Sequence, residues 1–173
     1  GLIGSAENVT IKNSFVSGSV RGSYDMVGGL VGFSYAYTAN GAGIDNSFTK
    51  GTVTGTNNGG GIGGLIGMNG GSTSSISYCF SESTVSGSAY EVGGLIGSLG
   101  NGNQTISYSY WKGVSVTGNT TTGGLAGTNN GNISNSYAAG RVTASSGGNG
   151  LAGGTVTNSY FVTSLNSNAG SMG

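Results

Sequence analysis

A tetrapeptide of Gly-Leu, an apolar residue and Gly recurs about every thirty residues along the chain, and a period of that length is the signature of a repeat architecture. It stands as GLIG at 1–4, GLVG at 29–32, GLIG at 64–67 and 94–97, and GLAG at 124–127 and 150–153. A second landmark follows each copy: IKNSF at 11–15, IDNSF at 44–48, ISYCF at 76–80, ISYSY at 106–110, ISNSY at 133–137 and VTNSY at 156–160. A third, centred on Val, completes five of them: SVRG at 19–22, TVTG at 52–55, TVSG at 84–87, SVTG at 115–118 and RVTA at 141–144. Three ordered landmarks repeated this often are not produced by chance.

Each landmark is short, rich in β-branched or aromatic residues, and bounded by Gly, Asn or Ser, so each reads as a short strand. No 3.6-residue periodicity supports a helix. Asn-Gly pairs at 40–41, 58–59, 69–70, 101–102, 130–131 and 149–150 read as tight turns, because such pairs accept positive φ. The expected fold is therefore all-β: a parallel β-solenoid (β-helix) of about six coils with three short strands per coil, formed by residues 1–173 as one segment with repeats starting near 1, 29, 64, 94, 124 and 150. One coil cannot bury both sides of its own strands, so equivalent residues must stack as columns. Leu2, Leu30, Leu65, Leu95, Leu125 and Leu151 form one column, and Ile11, Ile44, Ile76, Ile106, Ile133 and Val156 another. Phe15, Phe48, Phe80, Tyr110, Tyr137 and Tyr160 form an aromatic column, and Val20, Val53, Val85, Val116 and Val142 a fourth. Lys12, Asp45, Ser77, Ser107, Ser134 and Thr157 are polar throughout and are expected to face water.

Composition narrows the function classes. The 173 residues include 39 Gly, no Pro, no His and one Cys, and five basic residues balance five acidic ones. Phosphate binding needs clustered Lys or Arg, whereas Lys12, Arg21, Lys50, Lys112 and Arg141 are scattered, so nucleic acid is not an expected partner. No apolar run reaches the length of a membrane-spanning helix, and no membrane insertion is expected. Without His the usual zinc site cannot form. The carboxylates Glu7, Asp25, Asp45, Glu82 and Glu91 fall at different repeat positions, which gives paired acid–base catalysis no shared face. No enzyme activity, cofactor or metal is expected.

The landmarks resemble the GLUG motif, found in tandem in bacterial surface proteins. The closest copies are residues 64–93, 94–123 and 124–149; the first repeat lacks its leading Gly, and the sixth has Ser164-Leu165-Asn166 in place of the Val landmark. The resemblance implies a structural or adhesive segment of an exported or cell-surface microbial protein, as in adhesins and the non-catalytic regions of immunoglobulin A-cleaving metallopeptidases. Such a segment projects other domains or makes weak multivalent contacts with host or environmental glycans or proteins. It is expected to be a fragment of a longer chain. Another coil, a flanking domain or an identical subunit would then cover the end formed by Leu2 and Ile11, and end-to-end stacking into an extracellular filament is an alternative.

Individual residues add further expectations. Trp111 follows the aromatic column and projects outward if strand alternation continues, where it could stack on a sugar ring together with Tyr78 and Tyr108. Thr52, Thr54, Thr84, Ser86, Ser115 and Thr117 flank the inward Val and form two hydroxyl columns that resemble the ice-binding faces of some β-solenoids. Cys79 takes the place of Ser14, Ser47, Ser109, Ser136 and Ser159, and reads as a small buried residue rather than a reactive thiol. Asn8, Asn103, Asn119 and Asn132 carry the N-x-Ser/Thr pattern.

Overall fold

A computed structural model describes residues 1–37, 43–56, 59–71, 73–88, 90–100 and 103–162. Among these residues every strand pair is parallel, and the strands collect into four sheets, which form the faces of a β-solenoid. Face I holds Ile3–Glu7, Val31–Ala36, Ile66–Gly71, Ile96–Leu99 and Ala126–Asn129. Face II holds Thr10–Lys12, Gly43–Asp45, Ser75–Ser77, Thr105–Ser107, Asn132–Ser134 and Thr155–Thr157. Face III is the widest. Its strands Phe15–Gly22, Phe48–Gly55 and Phe80–Gly87 are continuous, and the later ones split into Tyr110–Trp111 with Ser115–Gly118 and Tyr137–Ala138 with Arg141–Ala144, ending at Tyr160–Phe161. Face IV holds Val27–Gly28, Gly61–Gly63, Glu91–Gly93, Thr121–Gly123 and Gly148–Asn149.

The described residues thus make five full circuits and begin a sixth, with four faces per circuit instead of the expected three strands. The additional strand is face IV, whose two or three residues lie directly before each Gly-Leu. The first landmark is not itself one strand: its Gly and Leu turn the corner from face IV to face I, and the strand starts at the following apolar residue. The Leu residues still stack, because Leu30 N–H donates to Leu65 O at 2.9 Å, Leu65 to Leu95 at 2.8 Å and Leu95 to Leu125 at 3.0 Å. Glycine is required at this corner by close approach. A Cβ on Gly64 would lie 2.1 Å from Gly94 O, and one on Gly94 would lie 2.2 Å from Gly124 O.

The Ile column is in register through all six positions, from Ile11 opposite Ile44 to Ile133 opposite Val156. The core also contains the fully buried Leu30, Leu65, Leu95, Leu125 and Leu151 and the buried Val53, Val85 and Val116. A serine ladder runs beside it. Ser14, Ser47, Ser109, Ser136 and Ser159 each donate their hydroxyl to the carbonyl two residues earlier. Several of the same oxygens accept from the backbone N–H of the preceding circuit, as in Ser109 N–H to Ser136 Oγ at 3.2 Å. Each such bond contributes about 1 kcal/mol.

The Asn-Gly expectation holds only in part: Asn130-Gly131 joins a face I strand to a face II strand, but without the positive φ expected of such pairs. Asn69-Gly70 lies within a face I strand, and none of Asn69, Asn130 and Asn149 has positive φ. The pairs at 40–41, 58–59 and 101–102 lie wholly or partly outside the described residues, as does Ser164-Leu165-Asn166. A repeated left-handed corner is found instead at Asn13, Asn46, Tyr78, Tyr108, Asn135 and Asn158, with φ between 45 and 52, besides single left-handed residues such as Asn8 and Met26. The repeated corners form one column between faces II and III.

Candidate functional site

That left-handed corner decides which side chains reach the surface. Ile76 points inward, Ser77 outward, Tyr78 turns the chain, and Cys79 points inward again. Two inward residues therefore stand three positions apart, and the strict alternation of a strand is reset between them. After the corner the phase is the reverse of a simple count. The aromatic column faces outward, and the residue after it faces inward.

This overturns the expected position of Trp111. Its indole is fully buried, and Nε1–H donates to Ser83 O at 2.9 Å. Of the equivalent residues, Thr49, Ser81 and Ala138 are also buried but small, and Val16 and Phe161 are half-buried. Room for the ring comes from three glycines: a Cβ on Gly94, Gly113 or Gly140 would come within 2.3, 2.5 and 2.3 Å of it. The fourth circuit also carries one residue more than the third between the aromatic and Val positions, since Phe80 pairs with Tyr110 but Val85 with Val116. Val114 in that segment is 80% exposed.

The surface of face III presents four outward columns. The first is aromatic. Phe15, Phe48, Phe80, Tyr110 and Tyr137 stack ring on ring with centroids 4.7–5.2 Å apart and planes within 8°. Partial burial in this stack raises the Tyr110 pKa, and Tyr137 and Glu82 add to the effect. The second column includes Lys50 and Glu82, which pair at 3.7 Å. The third contains Ser19, Thr52, Thr84 and Ser115, and the fourth Arg21, Thr54, Ser86 and Thr117. The predicted hydroxyl residues are thus in register and outward, with Thr52 donating to Ser19 at 2.8 Å and Thr54 3.4 Å from Ser86. Arg21 and Arg141 bound the two ranks.

Beside the aromatic column, at the left-handed corner, Tyr78 and Tyr108 are 58% and 55% exposed and stack on each other at 5.2 Å and 7°. A left-handed backbone costs a residue other than Gly or Asn roughly 1–2 kcal/mol. The ring stack returns about 0.5–1.5 kcal/mol. The structure brings these tyrosines together as expected but leaves Trp111 out of the patch.

Cys79 is buried and free, as expected. Its thiol donates to Ser77 O at 3.1 Å, and burial pushes its pKa up to about 12. Among the described residues no group of three or more His, Cys, Asp or Glu could hold a metal. Asn8, Asn103, Asn119 and Asn132 are all exposed. Sequence reasoning missed that the aromatic column is a surface. The signal was present in the uniformly small residue three positions after each Ile, since a column of Ser and Cys is what a tight interior corner requires.

Residues 118–143 match the family described as the GLUG motif. The match runs from the end of one face III strand, through faces IV, I and II, to the next face III strand, so one motif is close to one circuit. No curated protein and no solved structure matches the chain.

Proposed function

From a chain that carries the GLUG motif as a circuit of a β-solenoid, we propose a non-catalytic structural and adhesive segment of an exported or cell-surface microbial protein. It spaces neighbouring domains and offers its flank to glycans or proteins. The observation that supports this reading is the outward pattern of face III. The same aromatic and hydroxyl columns return in successive circuits, at the spacing of about 4.8 Å that separates paired strands. A row of individually weak, identical contacts gains strength from number, because each contact after the first is intramolecular.

Retention of the 173-residue chain on immobilised polysaccharides and on extracellular-matrix proteins tests this. Replacing Phe48, Phe80 and Tyr110 by Ser one after another is expected to weaken retention more steeply than in proportion to the number removed. Retention that is absent throughout, or indifferent to the triple variant, would sink the adhesive reading.

A second reading rests on the two hydroxyl ranks, whose in-register spacing could order water as an ice-binding face does. It predicts thermal hysteresis that is lost in Thr52→Lys and Thr84→Lys. An absence of hysteresis in the unmodified chain rejects it.

A further inference from the structure

We propose that Tyr78 and Tyr108 form an oxidative cross-linking site, in which a dityrosine bond staples the third circuit to the fourth. Three observations converge on this pair. Both phenols are more than half exposed, so an oxidant can reach them. Their rings lie 5.2 Å apart and nearly parallel, at corners that directly follow two strands in fixed parallel register. Both occupy a left-handed backbone position that four other circuits fill with Asn, and the two exceptions are neighbours. Tyr110 and Tyr137 also stack, but Tyr110 is held between Phe80 and Tyr137 and cannot turn freely. Tyr78 and Tyr108 are flanked in their column by Asn46 and Asn135, so among the described residues neither ring is stacked on an aromatic other than its partner, and neither is held between two rings as Tyr110 is.

The chemistry balances with a peroxide as oxidant, used through a haem peroxidase in two one-electron steps. Each phenol loses one electron and its hydroxyl proton to become a phenoxyl radical. The radicals join through carbons ortho to the oxygens, and the two ortho hydrogens move to the oxygens to restore both phenols. The protein loses two hydrogens in total, and one hydrogen peroxide is reduced to two waters. The new bond supplies a covalent tie between circuits that this chain cannot make by disulfide, because it has a single cysteine.

The test treats the full chain, at high dilution, with a haem peroxidase and hydrogen peroxide. The expected product is a monomer two hydrogens lighter that shows dityrosine emission. Cleavage after Glu82 and Glu91, which lie between the two tyrosines, should leave the peptide bearing Tyr78 joined to that bearing Tyr108. Tyr78→Phe and Tyr108→Phe keep the stacked rings and should each abolish the joined peptide. Tyr24→Phe, at an exposed tyrosine of the first circuit, should leave it intact. The oxidised protein should melt at a higher temperature than the untreated one, and Tyr78→Phe should show no such gain. Coupling only between chains, no coupling, or a joined peptide that persists in Tyr78→Phe would overturn the proposal.

Discussion

The third and fourth circuits share one backbone plan and fill it differently. In the third, Phe80–Gly87 runs unbroken over face III, and the inward position after the aromatic residue is Ser81. In the fourth the same position is Trp111, the strand divides into Tyr110–Trp111 and Ser115–Gly118, and Val114 stands out in solvent. The solenoid therefore holds the register of its paired columns and lets the path between them change. A ring that the interior of the third circuit has no space for is admitted in the fourth by one extra residue and by glycine at 94, 113 and 140.

Exchanges between these circuits test that account. The largest effect should come from Trp111→Ala, which empties a fully buried ring site and should cost about 3–5 kcal/mol in a denaturant titration. Its mirror image, Ser81→Trp, has no extra residue to make space and should cost about 1–3 kcal/mol or more. A neutral Trp111→Ala would break the comparison, since the fourth circuit would then not depend on its ring.

Next is Cys79, where the fourth circuit has Ser109. The folded thiol holds its proton up to about 12, whereas an unfolded one loses it near 9.0, so between those values the unfolded state binds fewer protons and stability falls as pH rises. The slope is about 1.4 kcal/mol per pH unit. Below pH 8 Cys79→Ser should be close to neutral, because it extends the serine ladder. Above pH 9 it should lose stability more slowly than the parent chain. Equal slopes would show that the thiol is not held protonated.

Thr122 comes third. It replaces Val92 of the preceding circuit on face IV, and its hydroxyl is buried without a partner. Thr122→Val keeps the shape and removes the unsatisfied group, so it should raise stability by about 1 kcal/mol. A loss instead would mean that the hydroxyl is bonded. The smallest effect belongs to the Lys50–Glu82 pair, whose side chains are 66% and 37% exposed. Glu82→Gln should cost under about 0.5 kcal/mol, and less at high salt.

The repeat itself was legible, because parallel stacking writes its columns directly into the sequence. Ile44, Ile76 and Ile106 must be alike if each packs on the next. The same logic read Cys79 correctly as an interior residue. The Gly-Leu tetrapeptide was legible as a landmark but not as a corner. Its glycines are fixed by carbonyl oxygens of the next circuit, which lie about thirty residues away in the chain and against them in space.

What only the tertiary structure decided was the phase of each face. Alternation counts residues along a straight strand, and a left-handed residue such as Tyr78 bends the chain without consuming an inward or outward place. Counting through it sent Trp111 outward and the aromatic column inward, the reverse of the structure. The sequence determined by itself which residues share a column, since that depends on repetition. Which columns meet water depends on where the backbone turns, and the turn was set by left-handed φ at the Asn and Tyr positions between the Ile and Ser columns.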